Sequence, residues 1–78
     1  MNAPLKYSLL KAIKENSNND GWCTLTGEKL SELVFYNASN VNKTIRELQK
    51  EKIIVVQYFK ERGHYRLTRK IKVVGNLE

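Results

Sequence analysis

The chain has 78 residues, enough for one domain with one small core, since a chain this short buries only about 60% of its unfolded surface. At 41% hydrophobic and 28% charged residues it has the make-up of a folded globular protein, and no apolar run approaches the ~18–20 residues of a membrane span. The net charge is +6 and is polarised: residues 1–42 sum to zero, whereas residues 43–72 carry ten Lys or Arg against three acids. Nucleic acid is the commonest polyanionic partner of such a footprint, and solubility alone is the blander account. The start, Met1-Asn2-Ala3-Pro4, lacks the basic and apolar regions of a signal peptide, so a soluble cytoplasmic protein is expected. The single cysteine, Cys23, excludes an internal disulfide, and with one histidine it cannot complete a four-ligand zinc site. It reads as a small core hydrophobe.

A first helix is expected from Pro4 to about Asn16. Asn2 or Ala3 caps it, and Leu5, Leu9, Ala12 and Ile13 form its apolar stripe. Lys6, Lys11 and Lys14 fall off that stripe. Tyr7 and Leu10 lie at its edge, either on the rim of the core or as a small partner surface. Asn16 to Gly21 is dense in turn formers. Trp22 to Leu25 reads as a short strand. Thr26 then caps a second helix, with Glu28 in its first turn and Leu30, Leu33 and Val34 facing the core.

Asn37 caps a third helix running from Ala38 to about Glu51. Val41, Ile45 and Leu48 form its narrow apolar back. At about 100° per residue, Ser39, Lys43, Arg46 and Lys50 fall on the opposite face, flanked by Asn42. Glu47 and Glu51 rotate to one side as exposed charges, with Glu47 able to pair with Lys50. Ile53 to Phe59 is β-branched and aromatic and reads as a strand. Lys60 to His64 is a tight turn in which Gly63 can take positive φ, and Tyr65 to Ile71 returns as the partner strand. The expected core adds Ile54, Val56 and Leu67. Tyr58, Phe59 and Tyr65 are expected to pack in the core or hairpin, because a base-stacking platform needs a wider sheet. The whole chain, 1–78, is one domain with its core in about 4–71 and a short tail, 72–78.

An enzyme is not expected. His64 sits alone in a turn, and no nucleophile, base and orienting group come together. The four glycines are scattered, so no phosphate loop is present, and no cofactor or metal is implied. The third helix carries the strongest constellation. One α-helix fits the major groove of B-DNA, and it needs an apolar back and a hydrogen-bonding front. Ser39, Asn40, Asn42, Lys43, Arg46 and Lys50 supply that front. Arg46 and Asn42 suit base edges, and Lys50 suits phosphate. Lys60, Arg62 and His64 at the hairpin tip, with Arg66 beside it, form a second expected contact to the sugar-phosphate backbone or minor groove.

The order helix, short strand, helix, helix, strand, turn, strand resembles the winged helix-turn-helix superfamily. Leu25 to Val34 looks like its second helix, and Asn37 to Ile54 is similar to its recognition helix and the entry to its wing. Asn37, Val41, Ile45, Leu48, Lys52 and Ile53-Ile54 match the family habit, and Tyr65-Arg66-Leu67-Thr68 looks like the returning wing strand. The resemblance implies an α+β fold with a three-helix core, a short strand and a C-terminal hairpin. It implies double-stranded DNA as partner, with the third helix in the major groove, in a small transcriptional or replication regulator of plasmid or phage type. A protein-interaction adaptor on the same fold is the alternative. The turn Val34-Phe35-Tyr36-Asn37 lacks the glycine often seen there. No helix follows the wing, so any homodimer would use Tyr7 and Leu10. Asn42-Lys43 also resembles the Asn-basic pair of left-handed Z-form binders, but Arg46 stands where their aromatic is expected and the wing lacks their prolines.

Overall fold

The computed structural model describes residues 3–60, 62, 63 and 65–76. Asn2, one of the two expected caps of the first helix, and His64 lie outside the described residues. Three helices and three strands follow the expected order: α1 (Ala3–Glu15), β1 (Trp22–Cys23), α2 (Gly27–Val34), α3 (Ala38–Lys50), β2 (Ile54–Lys60) and β3 (Leu67–Val73). The fold is α+β, with the strands in one antiparallel sheet of order β1-β3-β2.

Local chemistry sets the helix ends. Asn16 donates through Nδ2 to the Ala12 carbonyl and Ser17 through Oγ to the Ile13 carbonyl, at 2.8 and 2.6 Å, closing α1. The Asn18 carboxamide then accepts from the N–H groups of Asp20 and Trp22 and turns the chain into β1. Thr26 caps α2 by accepting from the Lys29 N–H, and Asn37 caps α3 by accepting from the Asn40 N–H. Between them α2 ends on Phe35, which sits in the left-handed region at φ 60° with its N–H on the Ser31 carbonyl. A glycine is the usual occupant of that position.

Leu5, Leu9, Leu10, Ala12 and Ile13 of α1 meet Leu30 and Val34 of α2 and Val41, Ile45 and Leu48 of α3. Cys23, Ile54 and Ile71 close this core from the sheet, with Val56 packed against it. Register pairs Cys23 with Ile71 and Val56 with Ile71, so these residues share the inner face. The alternate residues, Trp22, Val55, Gln57, Phe59, Lys70 and Lys72, share the outer face. Just after β3, Val74 and Gly75 dock on the start of β2, since their N–H groups both donate to the Ile53 carbonyl.

Several expectations are corrected. β1 ends at Cys23, so Thr24 and Leu25 are not strand. β3 starts at Leu67 and runs to Val73, which leaves Tyr65 and Arg66 in the hairpin loop. Leu33 and Leu67 are not core: they are 46% and 63% exposed. Leu33 follows Leu30 by three positions but lies past the edge of the α1 contact, and Leu67 pairs with Lys60 beyond the helices. Tyr58 and Tyr65 are exposed as well, Tyr58 at the open groove between Gly27 and Arg69 and Tyr65 in the hairpin loop. Leu10 is buried and contributes to the core, whereas Tyr7 is exposed.

Lys6 is the largest departure. It is buried to 2% exposure, and its Nζ stands 2.7 Å from Glu51 Oε1 and 3.8 Å from Glu47 Oε2. Glu47 and Glu51 are therefore not free helix charges, and the ion-pair partner of Glu47 is Lys6, from another helix, rather than Lys50. Among the described residues no helix is long and apolar enough to cross a membrane.

Candidate nucleic-acid interface

The third helix is built to present one face. Val41, Thr44, Ile45 and Leu48 are buried, and Ser39, Asn40, Lys43, Arg46 and Lys50 are exposed. The apolar residues are held because the cap at Asn37 and the α1 contact fix the helix rotation, and the polar residues follow at 100° per residue. Glu47 and Glu51 lie on the α1 side of this front, where Lys6 takes up both carboxylates. Among the described residues no carboxylate pairs with Lys43, Arg46 or Lys50, because the ion pairs formed are those of Lys6 and the Lys29–Glu32 pair on α2.

Asn42 stands apart from the other residues of the front. It is half-buried and lies against the first residue of α2, where a Cβ added at Gly27 would overlap its carboxamide, 3.1 Å from Cγ. Its Oδ1 accepts from both Nη1 and Nη2 of Arg69 at 3.4 Å. These bonds are long and hence weak individually. They nonetheless tie α3 to the inner face of β3. Arg69 shares that face with Ile71 and Leu67 and pairs in register with Tyr58.

The hairpin carries a second group of basic residues. Lys60, Arg62 and Arg66 are all exposed. Lys60 ends β2 opposite Leu67, and Arg62 sits in the turn beside Gly63, whose φ of 84° a glycine tolerates freely. An open groove of about 480 Å³ runs from Thr24, Thr26 and Gly27 across to Tyr58, Arg66, Thr68 and Arg69. Its lining has two arginines and no carboxylate.

Of the ten residues expected to form the site, Ser39, Asn40, Lys43, Arg46 and Lys50 stand on one exposed face of α3. Asn42 is drawn inward, Lys60, Arg62 and Arg66 stand on the hairpin, and His64 lies outside the described residues. Two residues of the junction, Gly27 and Arg69, were not anticipated. The signal for Arg69 was available in the alternation of β3, which puts it on the inward face with Ile71. That for Gly27 was not, since its contact is 15 positions away on another helix. Among the described residues no group of three His, Cys, Asp or Glu side chains could hold a metal ion. No protein-family model, curated protein or solved structure matches the chain.

Proposed function

We propose that the chain is a winged-helix domain that binds double-stranded DNA in a sequence-dependent way, acting by occupancy in transcription or replication control. Helix α3 would enter the major groove, and the β2–β3 hairpin would follow the backbone or minor groove. The observation that carries this reading is the basic front of α3, left without carboxylate partners among the described residues and joined through Asn42 and Arg69 to a basic hairpin. A front of this kind releases counterions from phosphates and leaves Arg46 exposed to read a base edge. Three helices, an antiparallel sheet and a hairpin that outreaches the helices support the fold assignment.

The test is fluorescence anisotropy with random-sequence duplex at about 50 and 200 mM salt. Micromolar or tighter binding that falls steeply with salt is expected. Absence of binding at low salt would overturn the proposal.

One observation favours a protein partner as the second reading. Leu33 and Phe35 are exposed beside Ser8 and Ala12 of α1, next to one lysine, Lys11, and one glutamate, Glu15.

A further inference from the structure

We propose that the outer face of the sheet is a binding site for single-stranded nucleic acid, separate from the front of α3. Alternation and register put Trp22, Phe59, Lys70 and Lys72 together on this face. The Lys70 ammonium stands 4.3 Å from the centre of the Trp22 ring and 5.7 Å from that of Phe59, and Lys72 Nζ is 5.3 Å from Trp22. Two aromatic rings thus flank one lysine, with a second lysine beside them. All four side chains are half-buried, so each keeps a solvent-facing part. An open notch of about 270 Å³ adjoins them, lined by Asn18, Asp20, Trp22, Thr24, Phe59 and Lys70.

The chemistry of this face selects its ligand. Once Lys70 and Lys72 swing from the Trp22 and Phe59 rings to phosphate, the ring faces they cover can stack an unpaired base, whereas the bases of a duplex are already stacked on each other. The backbone positions of Lys70 and Lys72, two residues apart on one face, are about 6.8 Å apart along the strand. That is close to the phosphate spacing of an unstacked single strand. Neither lysine is paired with a carboxylate among the described residues. Their ammonium groups rest on the rings by attraction to the π-quadrupole, so moving to a phosphate breaks no ion pair. Asp20 is the one carboxylate lining the notch, opposed there by Lys70, with Lys72 on the same face of the sheet. An acidic peptide would satisfy the lysines but has no planar group at each step to use the rings. The hairpin alone is too narrow for such a platform. Pairing with β1 brings Trp22 to the sheet and supplies the missing width.

The chain has one tryptophan, so this site carries its own reporter. The experiment titrates a short oligothymidylate of about 10 nucleotides while following Trp22 emission, in the full chain and in the Phe59→Ala and Lys70→Gln variants. Saturable quenching is expected in the full chain. Either variant should weaken it about fivefold or more, and Lys70→Gln should lower the salt slope by about 0.7. Should Phe59→Ala loosen the sheet, as its melting curve would reveal, Lys70→Gln carries the comparison. A Lys43→Ala/Arg46→Ala variant should lose duplex binding and keep the oligothymidylate quench. Duplex binding absent from the full chain with the quench intact would remove the α3 proposal and leave this one standing. No change in Trp22 emission at saturating oligothymidylate would overturn it. So would a quench lost with Lys43 and Arg46, or an equal response to polyglutamate.

Discussion

Lys6 Nζ of α1 lies 2.7 Å from Glu51 Oε1, just past the last residue of α3, and the lysine is almost wholly buried while the carboxylate stays 38% exposed. The pair sets the packing of the first helix against the third and occupies the two acids that border the basic front. Removing one partner of a fully buried pair costs about 3–5 kcal/mol, because the other charge is stranded without water. Glu47 and Glu51 can rehydrate, and methionine keeps most of the lysine stem. Lys6→Met should therefore lose about 1–2 kcal/mol, read as a lower urea midpoint at unchanged slope. On the DNA-binding proposal it should also weaken duplex binding, more at low salt than at high, because two uncompensated carboxylates then border the phosphate-facing surface.

Arg46 and Lys50 are both exposed and one helical turn apart, yet they should behave differently. The Arg46 guanidinium can read a guanine edge with two parallel bonds, whereas Lys50 is a point charge. Arg46→Ala should cost about 1–3 kcal/mol on a selected site and relax preference at one position. Lys50→Ala should weaken binding to selected and scrambled duplexes alike and reduce the salt slope by about 0.9. Titration of both variants against both duplexes checks this. Equal losses on the two sequences for Arg46→Ala would remove it from base reading.

The order of elements and the two caps were legible because they depend on residues close in sequence. Thr26 and Asn37 each bind an N–H three positions on, and the α3 stripe repeats every turn. The misread residues depend on distant partners. Lys6 is a charged side chain off the α1 stripe, and nothing near it in sequence signals that two glutamates, 41 and 45 positions later, let it be buried. Leu67 alternates as an inward residue, but whether a helix lies beneath that part of the strand is a matter of hairpin length. The helix wheel places Asn42 among the base-reading residues. Its contact with Gly27 depends on how closely α2 and α3 approach, which periodicity does not encode.

The Asn42–Arg69 bonds allow a separation of stability from recognition. At 3.4 Å each is weak, so Asn42→Ala or Arg69→Ala should change stability by only about 0.5–1 kcal/mol. Their larger expected effect is on duplex binding, because each frees the hairpin from α3. A double-mutant cycle should show coupling in binding that exceeds the coupling in folding. Gly27→Ala reaches the same junction from the other side: its methyl would displace the Asn42 carboxamide, and binding should fall although the substitution lies on α2 and not on the α3 front. Additive binding losses in the cycle would show that the two residues act independently.

Phe35 carries a conformational cost with no packing return inside the chain. It closes α2 at φ 60° and is 93% exposed. A residue with a Cβ pays about 1 kcal/mol or more in this region relative to glycine. Glycine gives back part of that through the greater freedom of its unfolded chain, so Phe35→Gly should stabilise the monomer by about 0.5–1 kcal/mol. Phe35→Ala keeps the same backbone and removes only exposed surface, so it should be near neutral. The two variants together separate backbone from side chain. If both destabilise, and the loss grows with protein concentration, the ring is buried against a second molecule. The exposed edge of Leu33 and Phe35 would then be a self-association surface. Urea unfolding of both variants at two protein concentrations decides between a ring that faces only water and one that faces a partner.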